Sequence, residues 1–155
     1  REEVFKAVEW MTDNPAEVYF NHHLQIIKRP DWRIVTPEGN PQFQFAVNLK
    51  KVSKFENKRK PKSNNIKVIP EEICKCVHFS YLMPKNKLEE KLLSFGHAQE
   101  IGKNWLENIW PNIKPGITNF HPVNPSAWKA IKEITLPEEI LKYVNWELLK
   151  DEKNI

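Results

Sequence analysis

The stretch Lys28 to Lys51, KRPDWRIVTPEGNPQFQFAVNLKK, holds the residue types that bear most directly on chemistry. Metal-dependent cleavage of a phosphodiester needs oxygen ligands for the ion and a charge near the attacking water. An Asp that opens one strand and a Lys that closes its partner can supply both at one spot. On an extended strand, positions 48 and 50 share a face. In this arrangement Asp31 binds the metal and Lys50 orients the water or the developing charge. An acid of the first helix, Glu3 (or Glu2 or Glu9), completes the set. Asn48 stands two residues before Lys50, where it offers an amide oxygen but no charge to offset Mg²⁺. In the competing reading Asp31 is a turn residue and Lys50 a solvated strand end.

A second chemistry lies just downstream. Residues 50 to 67, KKVSKFENKRKPKSNNIK, contain eight Lys or Arg and one acid, Glu56. The segment carries +7 and leaves −3 for the rest of a chain whose formal net charge is +4. Such a run attracts phosphates by counterion release, without fine geometry. Lys50, Lys51, Lys54, Lys58, Arg59, Lys60 and Lys62 are the expected phosphate contacts, with Phe55 placed to stack on a base. Gln42, Gln44 and Asn48, on the polar face of the preceding strand, can hydrogen-bond bases or backbone. The alternatives are a solvated loop, a localisation signal, or a contact for an acidic protein.

These residues are positioned by a simple order of elements. Residues 2 to 12 read as a helix with Val4, Val8 and Met11 on one stripe, ended by Asp13-Asn14-Pro15. Glu17 to Lys28 alternates as a half-buried strand, and Trp32 to Val35 is a second. Phe43, Phe45, Val47 and Leu49 alternate with polar residues and are expected to face the core. Gly39 or Asn40 takes the turn between these strands. Ile66 to Ile69 reads as an edge strand and Cys74 to Leu82 as another. Leu88, Leu92, Phe95, Trp105 and Ile109 recur at helical spacing up to Pro111, with an Asn86/Glu89 capping box at the start. Gly96 and Gly102 weaken that helix by roughly 1 kcal/mol each. Residues 111 to 125 form a Pro-rich loop. Short helices are expected at 127 to 134 and from Thr135, with Thr135 and Glu138 as a second capping box. The class is α+β: a small mixed or antiparallel sheet of three to five strands, with helices packed on it.

At 155 residues this fits a single domain, with a basic loop at 53 to 65. The chain opens on Arg1 rather than Met and reads as a fragment or processed product. No apolar run approaches the roughly 18 residues that span a membrane, so no membrane partner is expected. Cys74 and Cys76 lie two apart on one strand, which suits reduced thiols and an intracellular location, cytoplasm or nucleus. Cys74, Cys76 and His78 share a face but lack a fourth ligand for a soft metal. Trp105, Trp110, Trp128 and Trp146 read as core; the alternative is a docking surface for a protein partner in the C-terminal half.

In its layout of Glu-bearing helix, EVYFNHHLQIIK, RPDWRIV, turn and FQFAVNLKK, the chain resembles the PD-(D/E)XK nuclease superfamily, in its transposon-endonuclease branch. The resemblance covers about 50 residues. It implies an endonuclease that uses Mg²⁺ or Mn²⁺ with Asp31 as ligand; without it no cofactor is expected. Asn48 departs from the family pattern, which has Asp, Glu or sometimes Gln there. The leading expectation is therefore a nucleic-acid-binding domain of a larger processing protein, with the endonuclease and a protein-docking scaffold as alternatives.

Overall fold

The structure, a computed structural model, describes residues 2–37, 42–56, 60–94, 96, 98–102, 104–144 and 146–149. The class is α+β. Among the described residues six strands hydrogen-bond in one mixed sheet through the long strand β1 (Val18–Ile27), one of them β7 (Lys75–Tyr81), which pairs with β1, and two more form a separate ribbon. The expectation of three to five sheet strands is one short, for a reason found near the C-terminus. The chain divides into two compact units, Arg1–Leu24 with Asn40–Val77, and Gln25–Gly39 with His78–Ile155.

In the first unit, helix α1 (Glu2–Asp13) packs beside the start of β1. Asn14 and Pro15 stop the helix, as the sequence indicates. Its buried face is centred on Ala7, which is fully buried, with Trp10 and Met11 beside it. Val4 and Val8, expected on the core stripe, are each 49% exposed. Helical spacing marks more than one stripe here, and the small Ala7 side chain is the one that permits close approach. The Tyr19 ring meets Trp10 edge-on at 6.4 Å. Its hydroxyl accepts the Ala16 N–H at 2.6 Å and sits within reach of the Asn14 and Met11 carbonyls. This core also holds Ile69 and Cys74.

β3 (Gln42–Val47) pairs antiparallel with β1, and β6 (Ile66–Val68) pairs parallel with it at Val18 to Phe20. A bulge interrupts the β1–β3 ladder: Tyr19 opposes Ala46, but Phe20 opposes Gln44. One residue, Phe45, is therefore unpaired. A one-residue slip sends the following side chains to the other face. Val47 lies opposite Val18 on one face, and Phe43 lies opposite Asn21 on the other. The expectation that Phe43, Phe45, Val47 and Leu49 share a core face is thereby corrected. Phe45 and Val47 are half-buried, Phe43 is 41% exposed, and Leu49 lies beyond the strand, 76% exposed.

In the second unit, β2 (Arg29–Val35) follows β1 after Lys28 alone, which takes a left-handed φ of 61°. β2 pairs antiparallel with β8 (Ala130–Glu133), from Trp32↔Glu133 to Val35↔Ala130. Residues 127 to 134 were expected as a helix, since Trp128, Ile131 and Ile134 suit a 3.6-residue period. The free edge of β2 and the β-branched isoleucines select a strand instead, which is the sixth of the sheet.

The long helix expected from Leu88 to Pro111 is broken. α2 (Lys85–Ser94) buries Leu88 and Leu92. A 3₁₀ turn (Ala98–Glu100), a π-helical turn (Trp105–Ile109) and a second 3₁₀ turn (Trp110–Asn112) follow. Gly102 donates its N–H to the Pro122 carbonyl at 2.9 Å, a bond outside any helix. Phe95 lies outside the described residues. The core of this unit gathers Trp105, Trp110 and Trp128 with Ile27, Ile34, Leu88 and Phe120. The Trp105 indole N–H donates to the Phe120 carbonyl at 2.8 Å.

The short helices α3 (Glu138–Leu141) and α4 (Trp146–Leu149) close the fold. Neither expected capping box forms. Pro137 takes the N-cap position of α3 without a side-chain bond, and Asn86 sits inside α2, accepting the Lys87 N–H. Among the described residues no helix is long and apolar enough to cross a membrane.

Candidate nucleic-acid interface

The basic segment lies wholly in the first unit. β3 stops at Val47, and the chain turns at once: the Asn48 carbonyl accepts the N–H of both Lys51 and Val52 at 3.0 Å. The Asn48 Oδ1 accepts the Lys50 N–H at 3.1 Å, the local bond that Asn favours in turns. Strand alternation thus ends before Asn48. Positions 48 and 50 do not share a strand face, as the sequence pattern led one to expect. Val52 is buried and pins the turn to the unit.

A two-stranded ribbon follows, β4 (Phe55–Glu56) against β5 (Lys60–Pro61). Pro61 is buried, and the Lys62 N–H donates to the Lys54 carbonyl at 3.0 Å. The foot of the ribbon is tied to β1. Ser63 Oγ donates to Glu17 Oε2 at 2.7 Å and accepts the Asn65 N–H at 2.9 Å, while the Asn65 carbonyl accepts the N–H of Glu17 and Val18. The segment foreseen as a basic loop is therefore a tethered ribbon where it is described. Lys58 and Arg59 lie outside the described residues.

Lys50, Lys51, Lys54, Lys60 and Lys62 are all exposed on this backbone. Among the described residues only Lys62 of these five is in an ion pair, with Glu56 at 3.2 Å. Glu17 is occupied by Ser63. The two acids that line the groove of about 860 Å³ between Glu56 and Ile66 therefore both have partners. Gln42 and Gln44 on β3 are exposed, and so is Phe55 on the ribbon. Phe43 stacks on His23, ring centroids 4.0 Å apart and planes within 24°. The bulge that moves Phe43 to the His23 face was not visible in the sequence, where the alternation is unbroken.

The residues proposed for metal chemistry are distributed otherwise. Glu3 is exposed on α1 in the first unit, with Lys50, whereas Asp31 belongs to the second. The Asp31 carboxylate receives two parallel bonds from Arg29, Nε to Oδ1 at 2.9 Å and Nη2 to Oδ2 at 3.0 Å. This fork neutralises the carboxylate locally. Opposite charges at i and i+2 of a strand share a face, so the pair was legible in Arg-Pro-Asp. It lines a cavity of about 620 Å³ with Pro30, Leu136, Leu141 and Trp146.

Cys74 and Cys76 are free thiols. Burial, and then the nearby Glu3 charge, pushes the Cys74 thiol up; burial alone does so for Cys76. Both effects disfavour the thiolate that a metal needs. The His78 ring bonds the Ser80 hydroxyl. Among the described residues no group of three or more His, Cys, Asp or Glu is placed to hold a metal ion. No protein-family model, curated protein or solved structure matches the chain.

Proposed function

We propose that this chain is the nucleic-acid-binding module of a nucleic-acid-processing protein, and that its basic ribbon contacts the phosphate backbone. The observation that carries the reading is the display of Lys50, Lys51, Lys54, Lys60 and Lys62 on a tethered turn and ribbon, with one acid paired to them. Phosphates reward such a display whatever the base sequence, because each contact releases condensed counterions. The exposed Gln42 and Gln44 amides add hydrogen bonds that position the strand.

We do not extend the proposal to metal-dependent cleavage. The Asp31 carboxylate is already held by Arg29, and the Asn48 oxygen is bonded to the Lys50 backbone. Nor do we extend it to protein docking through the tryptophans, since Trp105, Trp110 and Trp128 are buried in a core; Trp146, also expected there, is instead 49% exposed.

The test replaces the five lysines together by glutamine. The variant is expected to lose affinity for oligonucleotides of unrelated sequence by the same factor. An unchanged affinity, or no binding by the unsubstituted protein at low salt, overturns the reading.

A further inference from the structure

We infer that the polynucleotide held by this surface is single-stranded, and that Phe43 on its His23 support and Phe55 on the ribbon are the rings on which its bases stack. The inference rests on the nucleic-acid reading above and specifies its ligand.

The first observation is the presence of three exposed aromatic residues in the unit that carries the basic ribbon. Phe43 and Phe55 are each 41% exposed. Phe5 is 68% exposed but lies on helix α1, not on β3 or the ribbon; Tyr19 is buried, and Trp10 is partly buried against the same core. The second observation is the support beneath Phe43. The His23 imidazole stacks on the ring with centroids 4.0 Å apart, and the residue keeps 41% of its surface exposed. A ring held in this way offers a flat apolar surface at little entropic cost.

These features distinguish the two forms of nucleic acid. In a duplex every base is already stacked on its neighbours, and its flat faces are closed to a protein ring. Only an unpaired base can leave its neighbours and lie on an aromatic side chain. Lysines alone would serve either form. The exposed rings serve only the single strand. Stacking is tolerant of base identity, because every base has a π face. The ligand class is therefore a single strand without strong sequence preference, DNA or RNA, which differ here by the 2′-hydroxyl.

The experiment measures fluorescence anisotropy with labelled oligonucleotides of about 12 nucleotides, a length within the usual range for one such surface. The probes are one sequence as single-stranded DNA, as single-stranded RNA, and as DNA duplex. The proteins are the full chain, Phe43→Leu, Phe55→Leu, the double variant, and the five-lysine variant. Leucine keeps the apolar character of an exposed position, so folding is spared. The expected result is tighter binding of a single strand than of the duplex. Each leucine variant then loses roughly five- to tenfold on single strands, with duplex binding unchanged. The DNA and RNA arms show which sugar is preferred. Equal binding of duplex and single strand overturns the inference. So do leucine variants that bind single strands like the unsubstituted chain. In both cases the lysine variant still weakens binding, and the parent reading stands. If no probe binds the unsubstituted chain, the parent reading falls, and this inference with it.

Discussion

Tyr19 shows how much one polar atom can organise. Its hydroxyl accepts the N–H of Ala16, a residue that is 3% exposed, and so satisfies a backbone donor at the junction of α1 and β1. Tyr19→Phe keeps the ring against Trp10 and removes only the oxygen. It is expected to cost about 1–3 kcal/mol, the penalty for a buried N–H left unpaired. A urea midpoint equal to that of the unsubstituted chain would show that water reaches Ala16. His121 gives a pH dependence. Its Nδ1 accepts the N–H of Val123 at 3.1 Å and of Asn124 at 2.9 Å, and burial lowers its pKa from the ordinary 6.5. The unfolded chain therefore takes up this proton before the folded one does. The contribution to stability is complete above 6.5 and declines as pH falls below it, towards the lowered folded value. His78, also lowered by burial, acts in the same direction. His121→Phe, which preserves an aromatic ring beside Trp128, is expected to flatten the fall in thermal midpoint on acidification. An unaltered pH profile in that variant would assign the dependence to other groups.

At the scale of elements, the π-helical turn Trp105–Ile109 begins from Asn104, whose φ is 59°. A left-handed backbone costs most L-residues roughly 1–2 kcal/mol, and Asn less. Asn104→Gly is expected to be neutral within about 0.5 kcal/mol, and Asn104→Val to destabilise by about 1–2 kcal/mol. Equal denaturation midpoints for the two would mean that the turn re-forms in another conformation. Elements bounded by local chemistry were legible in the sequence. α1 was expected over 2 to 12 and ends at Asp13, because Asn14 and Pro15 act on their immediate neighbours. β1 was expected over 17 to 28 and spans Val18–Ile27. Elements decided by distant partners were not. Residues 127 to 134 carry apolar residues at helical spacing, but pairing with β2 makes 130 to 133 a strand. The β3 bulge at Phe45 follows from its register with β1, and no residue of β3 signals it locally.

For the whole molecule, the legible property was charge. A +7 segment against a −3 remainder needs no geometry to be recognised, and Lys50, Lys51, Lys54, Lys60 and Lys62 of it are exposed in the structure. The candidate metal residues were less legible, because their chemistry depends on convergence. A pattern of Asp31, Asn48 and Lys50 along the chain carries no information on the Arg29 fork or the Asn48 turn that occupy their atoms. The central claim is that lysines of the turn and ribbon neutralise phosphates, and salt reads this directly. Binding of an oligonucleotide is to be titrated between about 50 and 200 mM salt for the unsubstituted chain and for the variant with Lys50, Lys51, Lys54, Lys60 and Lys62 changed to Gln. The account predicts that log K falls linearly with log salt. It also predicts a slope shallower in the variant by about 0.7 per lost contact on a single strand, or 0.9 on B-form DNA. Identical slopes for the two proteins would contradict it.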